Sequence, residues 1–387
     1  MSDRFWLPGE RPGRPVELDE ERGVWNVYGH AETLQVLTDP ATYTSDTGRL
    51  MPGVMDDSYR EGNLVRMDGL PHRKLRRLVN HAFTPKIVAD LEPRIRDLAT
   101  ELLDEVEGRD ELELVADLAS PLPVIVIAEL LGVPSGDRHL FKQWVDKMIN
   151  FDELPMNDDP EELKREVAAQ LAQVQPMFDY LHEHAAERRR RPRQDLLSQL
   201  VEAEVDGERL SDNEVVNFVS LLLVAGHITT TMLLGNTVLC LDRDPEQAAR
   251  VRADRTLTPT AIEESLRVST PSAILARATE TAVELGGQRV PADQMLMLWL
   301  SAANRDERVF ADPDRFDAGR QPNPHLGFGR GAHFCLGAPL ARLEGRIVLN
   351  LLLDRFPLLR TIEDRPPTFM PSPELTGVST LPLRVVD

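Results

Sequence analysis

A mainly helical chain with a minor β portion is what the sequence predicts, on three observations. Apolar residues recur at helical spacing over most of the length. One run, from about residue 211 to 241, is apolar nearly all round, and strand-like segments are few and short. The 387 residues, 42% of them apolar, hold no Gly/Ser linker, low-complexity tract or fixed-period repeat, so one large domain over 1–387 is expected.

Taken in chain order, VWNVYG at 24–29 is short and β-prone. An amphipathic helix runs from Pro85 to about Glu107, and a buried one from Pro121 to Leu131. DELPMNDDPEEL at 152–163 reads as an exposed acidic loop, and ERRRRPRQD at 187–195 as a solvated helix end and turn. Ser211-Asp-Asn-Glu214 is a capping box that starts the long apolar run, and a helix apolar on all sides belongs in the interior. Asp244-Pro245 and Thr258-Pro259 each pair a good N-cap with proline at the first helical position. AVELGGQRV at 282–290 reads as a hairpin turning on Gly286-Gly287. MLMLWLS at 295–301 and STLPLRVV near the C-terminus add strands to a small sheet, and loops rich in Asp, Pro and Arg fill 303–325.

Lys and Arg total 44 against 64 Asp and Glu, a formal charge of −20. Such a field repels nucleic acid and anionic membrane surfaces, so neither is expected as a partner. Two cysteines, Cys240 and Cys335, make no disulfide framework and fit a reducing compartment. The opening MSDRFWLPGERPGRP has no apolar core of signal-peptide length, and runs such as LPVIVIAELLGVP at 122–134 fall short of the roughly 20 residues that span a bilayer. No membrane anchor, a cytoplasmic location and a monomeric chain are therefore the expectations.

Residues 326–346, LGFGRGAHFCLGAPLARLEGR, carry the chemistry. Gly327, Gly329 and Gly331 before the cysteine and Gly337 after it imply backbone in unusual conformations close to a bulky object. A helix follows directly, with Leu336, Leu340, Leu343 and Ile347 on one side. A cysteine at a helix N-terminus sits where partial positive charge stabilises thiolate. Cys240, late in the long apolar run, has no such surroundings and reads as a core residue.

F-G-x-G-x-H-x-C-x-G, from Phe328 to Gly337, resembles the haem-binding loop of the cytochromes P450. The resemblance covers nearly the whole chain and implies the P450 fold: a large helical domain with a small β-sheet portion, haem lying between the long central helix and the cysteine loop. It implies haem b (iron protoporphyrin IX) with Cys335 as the thiolate ligand of the iron. It further implies that His333, His72 and Arg76 in PHRKLRR, and Arg277 in ILARAT reach the haem carboxylates, where cationic donors converge. Glu264-Ser-Leu-Arg267 is similar to the family's E-x-x-R helix, with Arg320 of FDAGR as the third member of a buried network bracing the cysteine loop. ANRDERVF at 303–310 also matches.

The apolar run contains LLLVAGHITTTMLLGN at 221–236, which resembles the family's oxygen-side helix with its pattern A-G-x-acid-T-T. Mid-helix glycine costs about 1 kcal/mol against alanine, so the pattern needs a reason. By resemblance, Ala225 and Gly226 let the backbone pass close to the oxygen site, and Thr229, followed by Thr230, holds the water that passes protons. The acid that normally precedes the threonine is here Ile228. His227 sits one residue, about 100° of helix, away from it. Three readings remain open: a monooxygenase using waters held by Thr229, Thr230 or the substrate; a peroxide-using or nitric-oxide-reducing enzyme; and a haem-based sensor or ligand carrier with little turnover.

The monooxygenase reading implies insertion of one oxygen atom from O2 into a lipophilic small molecule. The chain has no length for a flavin or ferredoxin domain and no G-x-G-x-x-G after a strand, so a separate ferredoxin or flavodoxin-type donor is expected. Arg73, Lys74, Arg76 and Arg77, with Arg330, Arg342 and Arg346, are the candidate basic docking face. Substrate-lining segments are expected at 46–66, about 145–165, LLLVAGHIT, SAILA at 272–276, and 370–380. They are aliphatic and methionine-bearing, which suits a bulky lipophilic ligand.

Overall fold

The computed structural model describes residues 12–50, 61–80, 83–149, 160–205 and 207–386. The described residues are mainly helical with several small sheets. By contacts the chain divides into two compact units, each assembled from separated stretches: Met1–Tyr43, Val88–Leu122 and Thr229–Asp387 in the first, Thr44–Ile87 and Pro123–Ile228 in the second.

The first unit is built on a sheet of β1 (Val16–Asp19), β2 (Val24–Val27), β3 (Tyr43–Thr44), β4 (Ile274–Thr279) and β5 (Met295–Trp299), in the order β1-β2-β5-β4-β3. β1 runs antiparallel to β2, β2 parallel to β5, and β5 antiparallel to β4, with Leu296 opposite both Trp25 and Arg277. Alternation along β5 buries Leu296 and Leu298 in a core with Val16, Trp25, Val27 and Leu37. β1 and β4 are strands the sequence pattern does not announce. ILARAT in particular carries an arginine in an apolar run, which disguises its period. The expected hairpin is present, Val283–Leu285 against Gln288–Val290, with Gly286 at φ 56° and Gly287 at φ 77°. A two-residue turn of that hand needs positive φ at both positions.

Helices Glu92–Asp104, Thr258–Val268 and Ala338–Arg355 pack together in this unit. Two expectations are corrected here. The single helix from Pro85 is two, Pro85–Asp90 and Glu92–Asp104, because Pro93 has no N–H for an i→i−4 bond and can stand only in a first turn. Thr258 is not an N-cap but the first residue of its helix, with Pro259 next, and its hydroxyl donates to Asn350 Oδ1 at 3.0 Å. Asp244 does cap as expected, accepting from Gln247 N.

The second unit is helical, including Gly69–Asn80, Arg138–Ile149, Pro160–Arg190 and Leu196–Glu202. The basic run at 187–195 is a helix end and turn with residues 189–194 exposed, as expected, but two of its members are buried. Arg188 is fully buried, donating to Asp195 Oδ2 at 2.7 Å, Glu187 Oε2 at 2.8 Å and Gly132 O at 3.0 Å. Arg189 binds Asp212 Oδ1 and the carbonyls of Val201 and Leu210. Guanidinium groups here cap chain ends that would otherwise leave carbonyls unmet. The acidic segment at 152–163 lies outside the described residues up to 159, and from Pro160 it opens a 31-residue helix.

The long helix runs unbroken over 32 residues, Asp212–Arg243. Its capping box forms in both directions: Ser211 N donates to Glu214 Oε2 at 2.8 Å and Glu214 N to Ser211 Oγ at 3.1 Å. By length and hydropathy this helix could cross a membrane, contrary to the expectation that no run is long enough, yet 67% of its most apolar window is buried within the protein.

Candidate active site

The loop that presents Cys335 is closed on itself by Cys335 N donating to Phe328 O at 2.9 Å. Gly331, at φ 71°, lies so close to the end of helix His30–Thr38 that an added Cβ would stand 2.5 Å from Leu37 O. Both demands select glycine. A turn of 3-10 helix, Gly331–His333, leads to Phe334, Cys335 and Leu336, which are only half-buried. At Gly337 an added Cβ would meet nothing within 4 Å. Helix Ala338–Arg355 begins immediately beyond, so the Cys335 thiol lies at its N-terminal end.

Two adjacent glutamates brace this loop from helix Thr258–Val268. The Glu264 carboxylate, fully buried, accepts from Arg267 through Nε and Nη2, both at 2.8 Å, from Arg320 Nε at 2.9 Å, from Asp317 N at 3.0 Å and from Asn323 Nδ2 at 3.1 Å. Arg267, equally buried, also donates to the carbonyls of Asn304, Pro313 and Arg315. A buried charge pair persists only when its remaining donors and lone pairs are met, and here they are. The brace reaches the loop through Asn304, whose Oδ1 accepts from Leu326 N at 2.7 Å.

Glu263, one residue earlier, is a second brace that sequence reading missed. It accepts from Arg342 at 2.7 and 2.8 Å and from His325 Nε2 at 3.0 Å, and Gly327 N meets His325 Nδ1 at 3.1 Å. Burial alone would raise the Glu263 carboxyl, but the hydrogen bonds from Arg342 and His325 prevail and hold it at about 2. Arg342 in turn stacks over the Phe328 ring at 4.6 Å. The signal lay in the pair Glu263-Glu264 on one helix and in His325 just ahead of the glycines, but a sequence does not say which carboxylate faces which cation.

On the long helix, Leu221, Ala225 and Thr229 are spaced by four and form an incompletely buried stripe, Ala225 being exposed. Ile228 and His227 are buried, at 7% and 2% exposure. His227 lies about 200° of helix from Thr229, so its ring is on the opposite side from the stripe. Its burial is that of a residue packed against neighbouring helices. Gly226 also has a packing reason: an added Cβ would fall 2.6 Å from Ile127 Cδ1 of helix Pro121–Leu130. The three threonines divide their tasks. Thr229 is on the stripe, Thr230 is buried, and Thr231 Oγ1 donates at 3.0 Å to Ala119 O in a π-helical turn, Val115–Ala119.

The other expected site residues are distributed as follows. His72 and Arg76 lie one turn apart on helix Gly69–Asn80, His72 buried and Arg76 half-buried. Arg277 is on β4, 6% exposed, its Nη1 donating to Ala276 O. His333 is half-buried in the loop, and Gly329 sits at φ 67°. Of the candidate docking residues, Lys74 is paired with Glu208, Arg342 with Glu263 and Arg346 with Glu92, while Arg73 and Arg330 are exposed. Of the expected lining segments, 51–60 and 150–159 lie outside the described residues.

A half-buried thiol at a helix N-terminus, apolar neighbours, and a position at Gly337 with room beyond it fit a flat, largely apolar group carrying a soft metal ion. Comparison gives the class: the cytochrome P450 family model matches residues 20–385. The chain belongs to the cytochromes P450, haem-containing oxidoreductases that act as monooxygenases. It is 44% identical over 377 residues to cyclomarin C epoxidase CymV of Salinispora arenicola, covering 97% of this chain and 94% of the relative. It is 43% identical over 362 residues to erythromycin C-12 hydroxylase of Saccharopolyspora erythraea, covering 93% and 88%. Among solved structures, HmtT, involved in himastatin biosynthesis, superposes with a TM-score of 0.90 at 58% identity, covering 99% of this chain and 97% of that one. The post-tailoring hydroxylase HmtN of the same biosynthesis gives 0.88 at 56% identity, covering 99% and 96%.

Proposed function

We propose that this chain inserts one oxygen atom from O2 into a large, lipophilic secondary metabolite late in its assembly, with electrons from a separate ferredoxin or flavodoxin-type protein. The Cys335 loop is the observation that carries the reading: glycine-shaped, doubly braced, and offering a thiol at a helix N-terminus. Relatives named for cyclomarin C and erythromycin, and neighbours named for himastatin tailoring, support the substrate class. A cytoplasmic monomer holding haem b, acting as one domain, completes the proposal.

The bound haem supplies activation of dioxygen. Cys335 would hold the iron as thiolate, with Phe328, Gly329 and Gly337 shaping the loop around it. His72, Arg76, Arg277 and His333 would supply the cationic donors for the haem carboxylates. Ala225 leaves the stripe open to the oxygen side. The Thr229 hydroxyl both accepts and donates, so it holds a water in line for proton delivery, with Thr230 behind it. Ile228 neither donates nor accepts. A positioned acid or base is typically worth about 10²- to 10⁴-fold, and this chain forgoes it at that position. Water held by Thr229, or a polar group of the substrate, carries the proton instead.

Ile228 also favours a second reading, in which peroxide replaces O2 and reductant or nitric oxide is reduced. A haem sensor with little turnover is the non-enzymatic alternative. NADH-driven oxidation with surrogate ferredoxin and reductase, run beside a peroxide assay, separates the three. Coupled product with NADH is the expected result. Product only with peroxide selects the second reading, and ligand binding without turnover selects the third. Ile228→Glu is expected to raise product formed per NADH consumed by severalfold; an unchanged ratio means proton supply is not what Ile228 limits.

A further inference from the structure

One buried amide ties the long helix to two other segments of the first unit. Asn236 is 1% exposed, and its Nδ2 donates to Ser269 O and to Thr376 O, each at 3.0 Å. The two acceptors belong to stretches that pair with each other. Ala273 N donates to Glu374 O at 2.7 Å, Thr376 N to Pro271 O at 2.9 Å and Thr376 Oγ1 to Thr270 O at 2.5 Å, while Ser272 and Leu375 form an antiparallel bridge. The stretches 269–273 and 374–376 thus make a short clasp, and both N–H donors of the Asn236 amide are spent on it.

The helix also packs closely against the residues that follow this clasp. An added Cβ at Gly235 would lie 2.3 Å from Val378 Cγ2, and one at Gly377 would lie 2.4 Å from Met232 Cγ. Leu375 within the clasp and Ala276 just beyond it are apolar and only half-buried. These are parts of the two segments, 272–276 and 370–380, that the sequence assigns to the substrate side.

We propose that Asn236 is a specificity-setting positioning residue: by holding both clasp stretches to the oxygen-side helix, it fixes the spacing of the pocket walls that meet a bulky ligand. The proposal rests on the haem-monooxygenase reading and on that assignment of 272–276 and 370–380. Asn236 touches no reacting atom. It acts through Ser269 and Thr376, so its removal shifts selectivity by ligand size and leaves the iron's own ligation alone.

Optical titration of the holoenzyme with two azoles tests this. Imidazole is small enough to report the iron with little of the pocket, and clotrimazole is bulky enough to report the walls. Asn236→Asp keeps the shape but turns a two-donor group into an acceptor facing two carbonyls. The expected result is a clotrimazole affinity at least tenfold weaker with imidazole within twofold. Amide exchange at Ala273 and Thr376 should speed up by a similar factor, with Arg267 unaffected. Thr237→Val is the control, because it breaks a buried bond one residue on, to Ser265 Oγ, without touching the clasp. Equal loss for both azoles, no loss for either, or the same pattern in Thr237→Val overturns the proposal. Asn236→Ser, small and with one hydroxyl donor, gives the same decision if the aspartate variant fails to retain haem. A wild-type protein without a thiolate-haem carbon-monoxide band refutes the underlying haem reading instead, so the two failures are distinguishable.

Discussion

Cys335 and Cys240 are the same side chain in two opposite environments. Cys240 is buried in the apolar cluster of Leu233, Leu241, Ile262 and Leu349, with Ser269 Oγ at 3.7 Å from its sulfur. Burial pushes its thiol upward, outweighing the Ser269 contact that lowers it, so the neutral form is what the core holds. Cys335 is half-buried, follows a loop of glycines, and stands at the start of an 18-residue helix whose N–H groups favour negative charge. One position suppresses thiolate chemistry and the other invites it. What separates them is the backbone: a helix interior encloses its side chains, whereas a glycine loop at a helix start leaves one accessible.

Three experiments break or sharpen that contrast, from the largest effect to the smallest. Cys335→Ser is expected to abolish the thiolate-haem carbon-monoxide band and to lower turnover by at least 10³-fold. Cys240→Ser, with a hydroxyl partner already at hand, should retain the band and lose within about 1 kcal/mol of stability. A band that survives in Cys335→Ser reverses the assignment of roles.

The second experiment asks whether Cys335 depends on its braces. Arg267→Ala leaves Glu264 charged, buried and short of its two closest donors, a loss of about 3–5 kcal/mol. Denaturant unfolding measures that loss, and haem retained after gel filtration should fall with it, because Leu326 and the loop hang on Asn304. Equal damage to haem retention from Cys240→Ser would mean that general core stability, and not the brace, keeps the loop in place.

The third concerns Glu344, nine residues after Cys335 on the same helix. It is 2% exposed, its Oε2 has no hydrogen-bond partner among the described residues, and burial pushes its carboxyl up to about 8. The unfolded chain releases this proton near pH 4.5, long before the folded protein does. Stability is therefore lost as pH rises from about 4.5 to about 8 and is level beyond. Glu344→Gln removes this titration and should flatten that slope by up to a few kcal/mol, read as Tm against pH. An unchanged slope shows that Glu344 is paired and ionised in solution.

Much of this was legible in residue order. The Cys335 loop, the capping box at Ser211, the Gly286-Gly287 hairpin and the E-x-x-R spacing are local patterns, and each forms as its residues require. Glycine, proline and short polar side chains act within a few residues, so their neighbours suffice to read them. Less legible were features whose partners are distant in the chain. Within the exposed basic run at 187–195, Arg188 looked as solvated as its neighbours, yet Gly132 and Asp195 enclose it. The carboxylates that pair with Lys74, Arg342 and Arg346 are likewise distant in the chain.

By itself, then, the sequence determined the class of this protein, its cysteine loop and the departure at Ile228, since those depend on which residues stand side by side. Only the tertiary structure decided that Glu263 doubles the brace of Glu264 and that Asn236 gathers Ser269 and Thr376. A hydrogen bond between groups 33 or 140 residues apart leaves no trace in local composition. It exists because the packed chain brings a donor to a carbonyl that water can no longer reach.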